Sequence, residues 1–346
     1  MPGADDTGVT RHELSDLRAR ALTLEARLNE VFLGQPQAVR LLLIALFARG
    51  HALLEGDVGV GKTTLLRALA RATGGAFERL EGTIDLMPND LLYYTYINAE
   101  GRPQVDPGPL VRHGEALSFF FFNEVNRARP QVHSLLLRVM AERSVTAFNR
   151  EYHFPRLQVF ADRNRVEKEE TFEIPSAARD RFLMEIPVEI SDDNDIRRQL
   201  MFDTRFHDTD ELLDSLEPAQ LPVEDIHAAA PAIQGQVQAG PALERYALAL
   251  WQATRDPMAA GVEVDGVEMA DLIEVGASPR GAGMLIRAAR VAAWLADREH
   301  VQPEDIQTIF HATMAHRVFL QPVYELRRAR IAPALMRGIL ARVSAP

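Results

Sequence analysis

The 346-residue sequence contains no cysteine, so it offers neither a disulfide framework nor a thiolate metal site. Long hydrophobic runs are missing too. The longest apolar stretches, residues 41–48 and 117–122, stop well short of the roughly 18 residues a membrane span needs. The opening MPGADDTGVTRHELSD has no basic start followed by an apolar run, so no secretory signal is expected and the chain reads as cytoplasmic. Positive charge is in deficit: 38 basic residues stand against 49 acidic ones, a formal charge of −11. A phosphate backbone is bound by clustered Lys and Arg, so no nucleic-acid partner is expected. Lysine itself is almost absent. Of the 38 basic residues only Lys62 and Lys168 are lysine, and the rest are arginine.

What remains is the composition of a globular protein, 47% apolar and 25% charged, long enough for two cores. Apolar positions at helical spacing (Leu14, Leu17, Ala21, Leu24, Leu28) predict a helix over 12–32, and a second is expected over 36–49. HALLEG then reads as a strand, followed by a glycine-rich loop and a helix over about 62–73. Further strands are expected at 77–81, at 118–122 with its four consecutive phenylalanines, at 157–161 and at 183–190, with a hairpin over 145–154 turning at Asn149 and Arg150. Strands separated by helices predict an α/β fold with a parallel sheet. Past about residue 191 the strand signal ends. The expected division is an α/β nucleotide-binding domain with N-terminal helices over 1–190, and a helical domain over 191–346. Within the latter, loops are expected at the acidic stretch 207–225 and near 231–241.

The loop reads GDVGVGKT: Gly56, Asp57, Val58, Gly59, Val60, Gly61, Lys62 and Thr63, with Thr64 following. It matches GxxxxGK[ST] in full. Such a loop turns backbone N–H groups inward around phosphate at a helix N-terminus, while the lysine meets the β and γ phosphates and the Thr63 hydroxyl ligates Mg²⁺. In a chain that uses arginine almost everywhere, a lysine at 62 points to a need for a compact ammonium, which a planar guanidinium cannot imitate. ATP with Mg²⁺ is the expected cofactor pair.

FFFFNE ends a buried strand in Asn123 and Glu124. Glu124 is placed to orient or deprotonate an attacking water, whereas Asn123 stands where most such enzymes carry an aspartate facing the metal, and it brings no negative charge. FADRNR sets Asn164 at the end of the next strand, within reach of a γ-phosphate or of the water; as an isolated signal it equals a turn residue. ARDRF carries Arg181, either a finger toward a neighbouring subunit's nucleotide or an ordinary surface ion pair. GASPRGAG starts a helix at Ser278 and Pro279, with Arg280 in its first turn, able to reach back to phosphate. Met284, Ile286, Val291 and Leu295 on that helix are expected in the core. The aromatics Tyr93, Tyr94 and Tyr96, in an insertion over 82–116, either grip a partner or pack within the insertion.

In order, GQPQAVRLLLIALFARGHALLEGDVGVGKTTLL, DPGPL, FFFFNEVNRARPQVHSLLLRVMAERSV, Asn164, ARDRFLMEI and GASPR resemble the MoxR family of AAA+ ATPases over roughly residues 30–320. The resemblance implies a parallel-sheet P-loop domain followed by an all-helical lid. It makes residues 56–63 the Walker A loop, Asn123 and Glu124 the end of Walker B, Asn164 sensor 1, Arg181 the arginine finger and Arg280 sensor 2. It further implies a homo-oligomeric, hexameric ring acting as a chaperone-like motor on a client metalloenzyme, with a von Willebrand factor A-type domain protein as partner. The methanol-oxidation branch, which the chain resembles within the family, implies methanol dehydrogenase as the client. The sequence departs from the family at Asn123 and at Arg165, where a proline often follows sensor 1. Two other readings stand beside the ATPase. One is a nucleotide-gated scaffold that hardly turns over because of Asn123, in which Asn123→Asp would raise hydrolysis. The other is a nucleic-acid motor, disfavoured by the acidic balance.

Overall fold

The computed structural model describes residues 9–164 and 172–346; Arg165 and Lys168 lie outside them. Contacts divide the chain into two compact units. One comprises Ala19–Arg181 and Ile186–His227, the other the residues up to Arg18, Phe182–Glu185 and Ala228–Pro346. In chain order the elements begin with helices α1 (Arg11–Val31) and α2 (Pro36–Phe47), strand β1 (His51–Gly56), helix α3 (Lys62–Thr73) and strand β2 (Ala76–Glu81). Strands β3 (Tyr93–Ile97) and β4 (Pro103–Pro107) form a hairpin inside the insertion, which is followed by β5 (Leu117–Asn123) and α4 (Pro130–Glu142). Strands β6 (Ser144–Ala147) and β7 (Arg150–His153) pair with each other, and β8 (Gln158–Asn164), α5 (Ser176–Arg179) and β9 (Phe182–Pro187) follow.

The main sheet has the order β2-β5-β8-β1-β9. The pairs β2 with β5, β5 with β8 and β8 with β1 are parallel. Strand β5 lies between two neighbours and is buried along its whole length, which is why its sequence, LSFFFFN, does not alternate. The register sets Gly56 opposite Asn164, Glu81 opposite Asn123, and Phe122 opposite Ala161. The carboxyl ends of β1, β5 and β8 therefore share one edge, where parallel sheets place their ligands.

Helices α6 (Asn194–Phe202) and α7 (Thr209–Asp214) follow the sheet, and the acidic stretch after residue 190 packs on α3. Arg67 pairs with Asp210 at 2.8 Å, Arg71 pairs with Asp214 at 3.1 Å, and the N–H groups of Ala219 and Leu221 donate to the carbonyls of Arg71 and Ala72. Residues 191–227 thus cluster with the phosphate-loop unit, beyond the boundary expected at 190.

Helix α8 (Val223–Gln236) contains Pro231, so the loop expected from 231 begins only after Gln236. In the second unit, α9 (Pro241–Arg255), β10 (Ile273–Val275), α10 (Pro279–Leu295), α11 (Pro303–Met314), β11 (Phe319–Leu320), α12 (Pro322–Glu325) and α13 (Arg328–Arg342) complete the chain. The antiparallel ribbon of β10 and β11 was not legible: three and two residues are too short to display alternation. Ser278 caps α10 as expected, its hydroxyl accepting from the N–H of Gly281 at 3.1 Å. The buried stripe of α10 runs through Leu285, Ala288, Ala289, Ala292 and Leu295, with Val291 beside it. Met284 and Ile286 are only half-buried, one position off the stripe. The turn between β6 and β7 sits at Phe148 and Asn149, both with φ near +55°, rather than at Asn149 and Arg150. Paired positive φ values are those of a tight hairpin turn matching the twist of its strands.

Candidate nucleotide site

The phosphate loop runs from the end of β1 into the start of α3. Gly59 and Gly61 adopt φ of +81° and +88°, a region where a side chain is strained, and that conformation lets the loop double back over the helix start. Gly61 caps α3 with no side-chain hydrogen bond, so the first-turn amides point toward whatever enters the loop. The Val60 carbonyl accepts from Nε2 of Gln35, which anchors the loop at the start of α2.

Lys62 is buried, and its ammonium donates to the carbonyls of Gly56 and Asp57 at 2.9 Å each and to Oδ1 of Asn164 at 2.7 Å. Its donors match a compact charge within a ring of loop oxygens, a geometry suited to lysine. Asn164 in turn donates through Nδ2 to Oε1 of Glu124 at 3.4 Å. The other carboxylate oxygen of Glu124 meets Arg127 at 3.0 Å. Glu124 is itself a left-handed residue, φ +50° and ψ +48°, at the sharp turn that follows β5. A non-glycine residue held there costs on the order of 1 kcal/mol, and such strain collects at functional sites. The sheet register thus joins Lys62, Asn164 and Glu124, three residues the sequence singled out separately, in one chain of contacts.

Asn123 stands beside them with its terminal amide 3.5 Å from Oγ1 of Thr63. The hydrogen-bond network orients that amide so that its nitrogen donates to both oxygens of Asp162, at 3.0 and 2.9 Å. Asp162 also accepts from the backbone N–H of Glu124 at 2.5 Å. It is only 2% exposed. Burial pushes its carboxyl up to about 6, against the Glu124 N–H and the Lys62 charge, which pull it down.

Asp162 and Arg127 were not singled out from sequence. For Asp162 a signal existed, an acid inside the apolar run of β8 two residues before Asn164 and so on the same face of the strand. Its partner across the sheet, Asn123, is 39 positions away and invisible to any local pattern.

Arg181 lies half-buried on the turn between α5 and β9, and donates to the Ala177 carbonyl at 2.7 Å. Arg280 is exposed in the first turn of α10, in the second unit. Asp57, Val58 and Gly59 are exposed at the tip of the loop, and Thr63 and Thr64 are half-buried at the helix start. Tyr94 and Tyr96 are exposed on the β3–β4 hairpin, whereas Tyr93 is half-buried against Phe148 of the second hairpin, ring centres 5.6 Å apart. Tyr93 thus packs on the second hairpin rather than within the insertion, and Tyr94 and Tyr96 stay exposed. Among the described residues no group of three or more His, Cys, Asp or Glu side chains forms a metal site, and no helix is long and apolar enough to cross a membrane. In this orientation the Asn123 atom nearest Thr63 is its nitrogen, a hydrogen-bond donor that does not ligate a metal, so the protein side of a Mg²⁺ shell here is the Thr63 hydroxyl, with phosphate and water to complete it.

A parallel sheet, a loop of this form at its carboxyl edge and a following helical unit define an AAA ATPase with its lid. Residues 51–184 match the model for the ATPase family associated with various cellular activities, and residues 269–334 match the AAA lid domain. The chain is 60% identical to Protein MoxR of Methylorubrum extorquens, over 96% of this chain and 97% of that one, and 53% identical to Protein MoxR of Paracoccus denitrificans, over 96% and 98%. It is 32% identical to Chaperone MoxR1 of Mycobacterium tuberculosis, over 95% and 84%. A solved structure from Cytophaga hutchinsonii, 29% identical, superposes with a TM-score of 0.81 over 97% of both chains. The chain belongs to the MoxR family of AAA+ ATPases, and a nucleotide is the ligand that family membership implies.

Proposed function

We propose that the chain is an Mg²⁺-dependent ATPase working as a hexameric ring, in which ATP closes the subunit interface and hydrolysis drives remodelling of a client protein. The observation that carries this reading is the contact chain from Lys62 through Asn164 to Glu124 at the carboxyl edge of the sheet. In this reading the amides of residues 56–64 cradle the phosphates, and Lys62 leaves its loop carbonyls for the β and γ oxygens. Thr63 would hold Mg²⁺, which supplies neutralising charge beside those oxygens, and Asn123, expected from sequence as a second ligand, would reach it only with its amide oxygen turned toward Thr63. Glu124 orients and deprotonates the water, Asn164 holds Glu124 in register with the γ-phosphate, and Arg280 senses nucleotide from the lid. Arg127 and Asn164 each hold one oxygen of Glu124, which fixes the carboxylate while each oxygen keeps a second lone pair for the water.

Arg181 acts on the nucleotide of a neighbouring subunit, stabilising charge that builds in the transition state. The client is a metalloenzyme, methanol dehydrogenase in the branch of the family that the sequence resembles. The partner carries a von Willebrand factor A-type domain, the location is cytoplasmic, and the exposed Tyr94 and Tyr96 face the client.

Such an enzyme is active only when assembled. Specific activity should rise several-fold with protein concentration, then level off where light scattering finds the ring complete. A specific activity independent of concentration, from a particle of monomer mass, would contradict the shared site. The slow scaffold rests on the missing charge of Asn123 alone, and Asp162, within hydrogen-bond distance of that amide, weakens its premise.

A further inference from the structure

An acid at the position of Asn123 would face Asp162 at the distance of a hydrogen bond, with both groups buried. Two carboxylates so placed cannot both stay ionised. An amide there resolves the conflict, because its nitrogen donates to both oxygens of Asp162 while its own oxygen turns the other way. The same carboxylate accepts the N–H of Glu124, the residue whose side chain receives Asn164 and Arg127. One buried carboxylate therefore holds both residues that end β5.

We propose that Asp162 is the resident anion of the nucleotide site and a positioning residue: it fixes the amide of Asn123 and the backbone of Glu124, with the acid on β8 and the amide on β5. The negative charge that Asn123 lacks is present one strand away, on the carboxylate that its amide nitrogen meets. Hydrolysis is thereby not impaired by the amide. This inference rests on the ATPase reading, and it reverses one expectation from sequence: Asn123→Asp alone lowers turnover rather than raising it, since it sets a second carboxylate against Asp162.

The test is a cycle of Asn123→Asp, Asp162→Asn and the double exchange, each followed by phosphate release, by fluorescent ATP titration and by thermal melting in EDTA without nucleotide. Each single variant should lose about tenfold or more in kcat, with KM for ATP changing less than about threefold, as for a group that positions the reacting residues rather than holding substrate. The double exchange restores one acid and one amide in contact, and should recover kcat to within about threefold of wild type. Melting without Mg²⁺ or nucleotide should repeat the pattern: Asn123→Asp melts below the wild type, and the double exchange melts above Asn123→Asp. Additive losses in both kcat and melting temperature, or an Asp162→Asn enzyme with wild-type turnover, would overturn the proposal. A single variant that does not fold leaves the double exchange to decide by the same melt. A wild-type chain with no turnover would instead overturn the ATPase reading, and the EDTA melts would still decide whether the two side chains are coupled.

Discussion

Lys62→Ala is expected to lower ATP turnover at least about 100-fold, and to weaken nucleotide binding in the same titration. The ammonium is buried between two loop carbonyls and Asn164, so its removal strips the phosphates of the positive charge at the floor of the loop, and also frees Asn164 from its anchor. Lys62→Arg is expected to fare little better, although the chain uses arginine almost everywhere else. A planar fork cannot sit among three acceptors set around a point charge. Phosphate release paired with fluorescent nucleotide titration checks both variants. Turnover at the wild-type rate in Lys62→Ala would remove this loop from the chemistry.

The second large effect belongs to Arg181. Its loss should lower turnover about 1000-fold, the scale set by arginine fingers elsewhere, while nucleotide affinity changes less than about threefold. The reason is positional: Arg181 ends the turn after α5 and is held through Ala177, one helical turn back on the same segment. If it serves a neighbour's nucleotide, two inactive variants should complement each other. Mixed with Lys62→Ala, the Arg181→Ala protein should regain activity, because a Lys62→Ala subunit still offers its arginine to an intact loop next door. Unimpaired turnover of Arg181→Ala alone would exclude it from the active site.

The phosphate loop was legible in full because its chemistry is local: eight consecutive residues, a strand before them and a helix after them. The sheet was legible for a similar reason, since a buried central strand must read as LSFFFFN does, apolar without alternation. Three kinds of feature escaped. Pro231 reads as a breaker, yet it sits inside α8, where the surrounding helix tolerates one missing donor. The short ribbon of β10 and β11 is stabilised by pairing across the 43 residues 276–318, and its own letters say nothing of it. Asp162 escaped because its meaning depends on register. In the sequence it is one acid in FADRNR; beside Asn123 it changes what that asparagine means, from a missing charge to half of a pair.

Whether this family member hydrolyses ATP with Mg²⁺ is measured most directly by steady-state phosphate release from the purified wild-type chain at saturating ATP, with Mg²⁺ and with excess EDTA, at a concentration where assembly is complete. The account predicts steady turnover with Mg²⁺ that EDTA abolishes. Tight ATP binding with no turnover above that of Lys62→Ala, or turnover that EDTA leaves untouched, would contradict it.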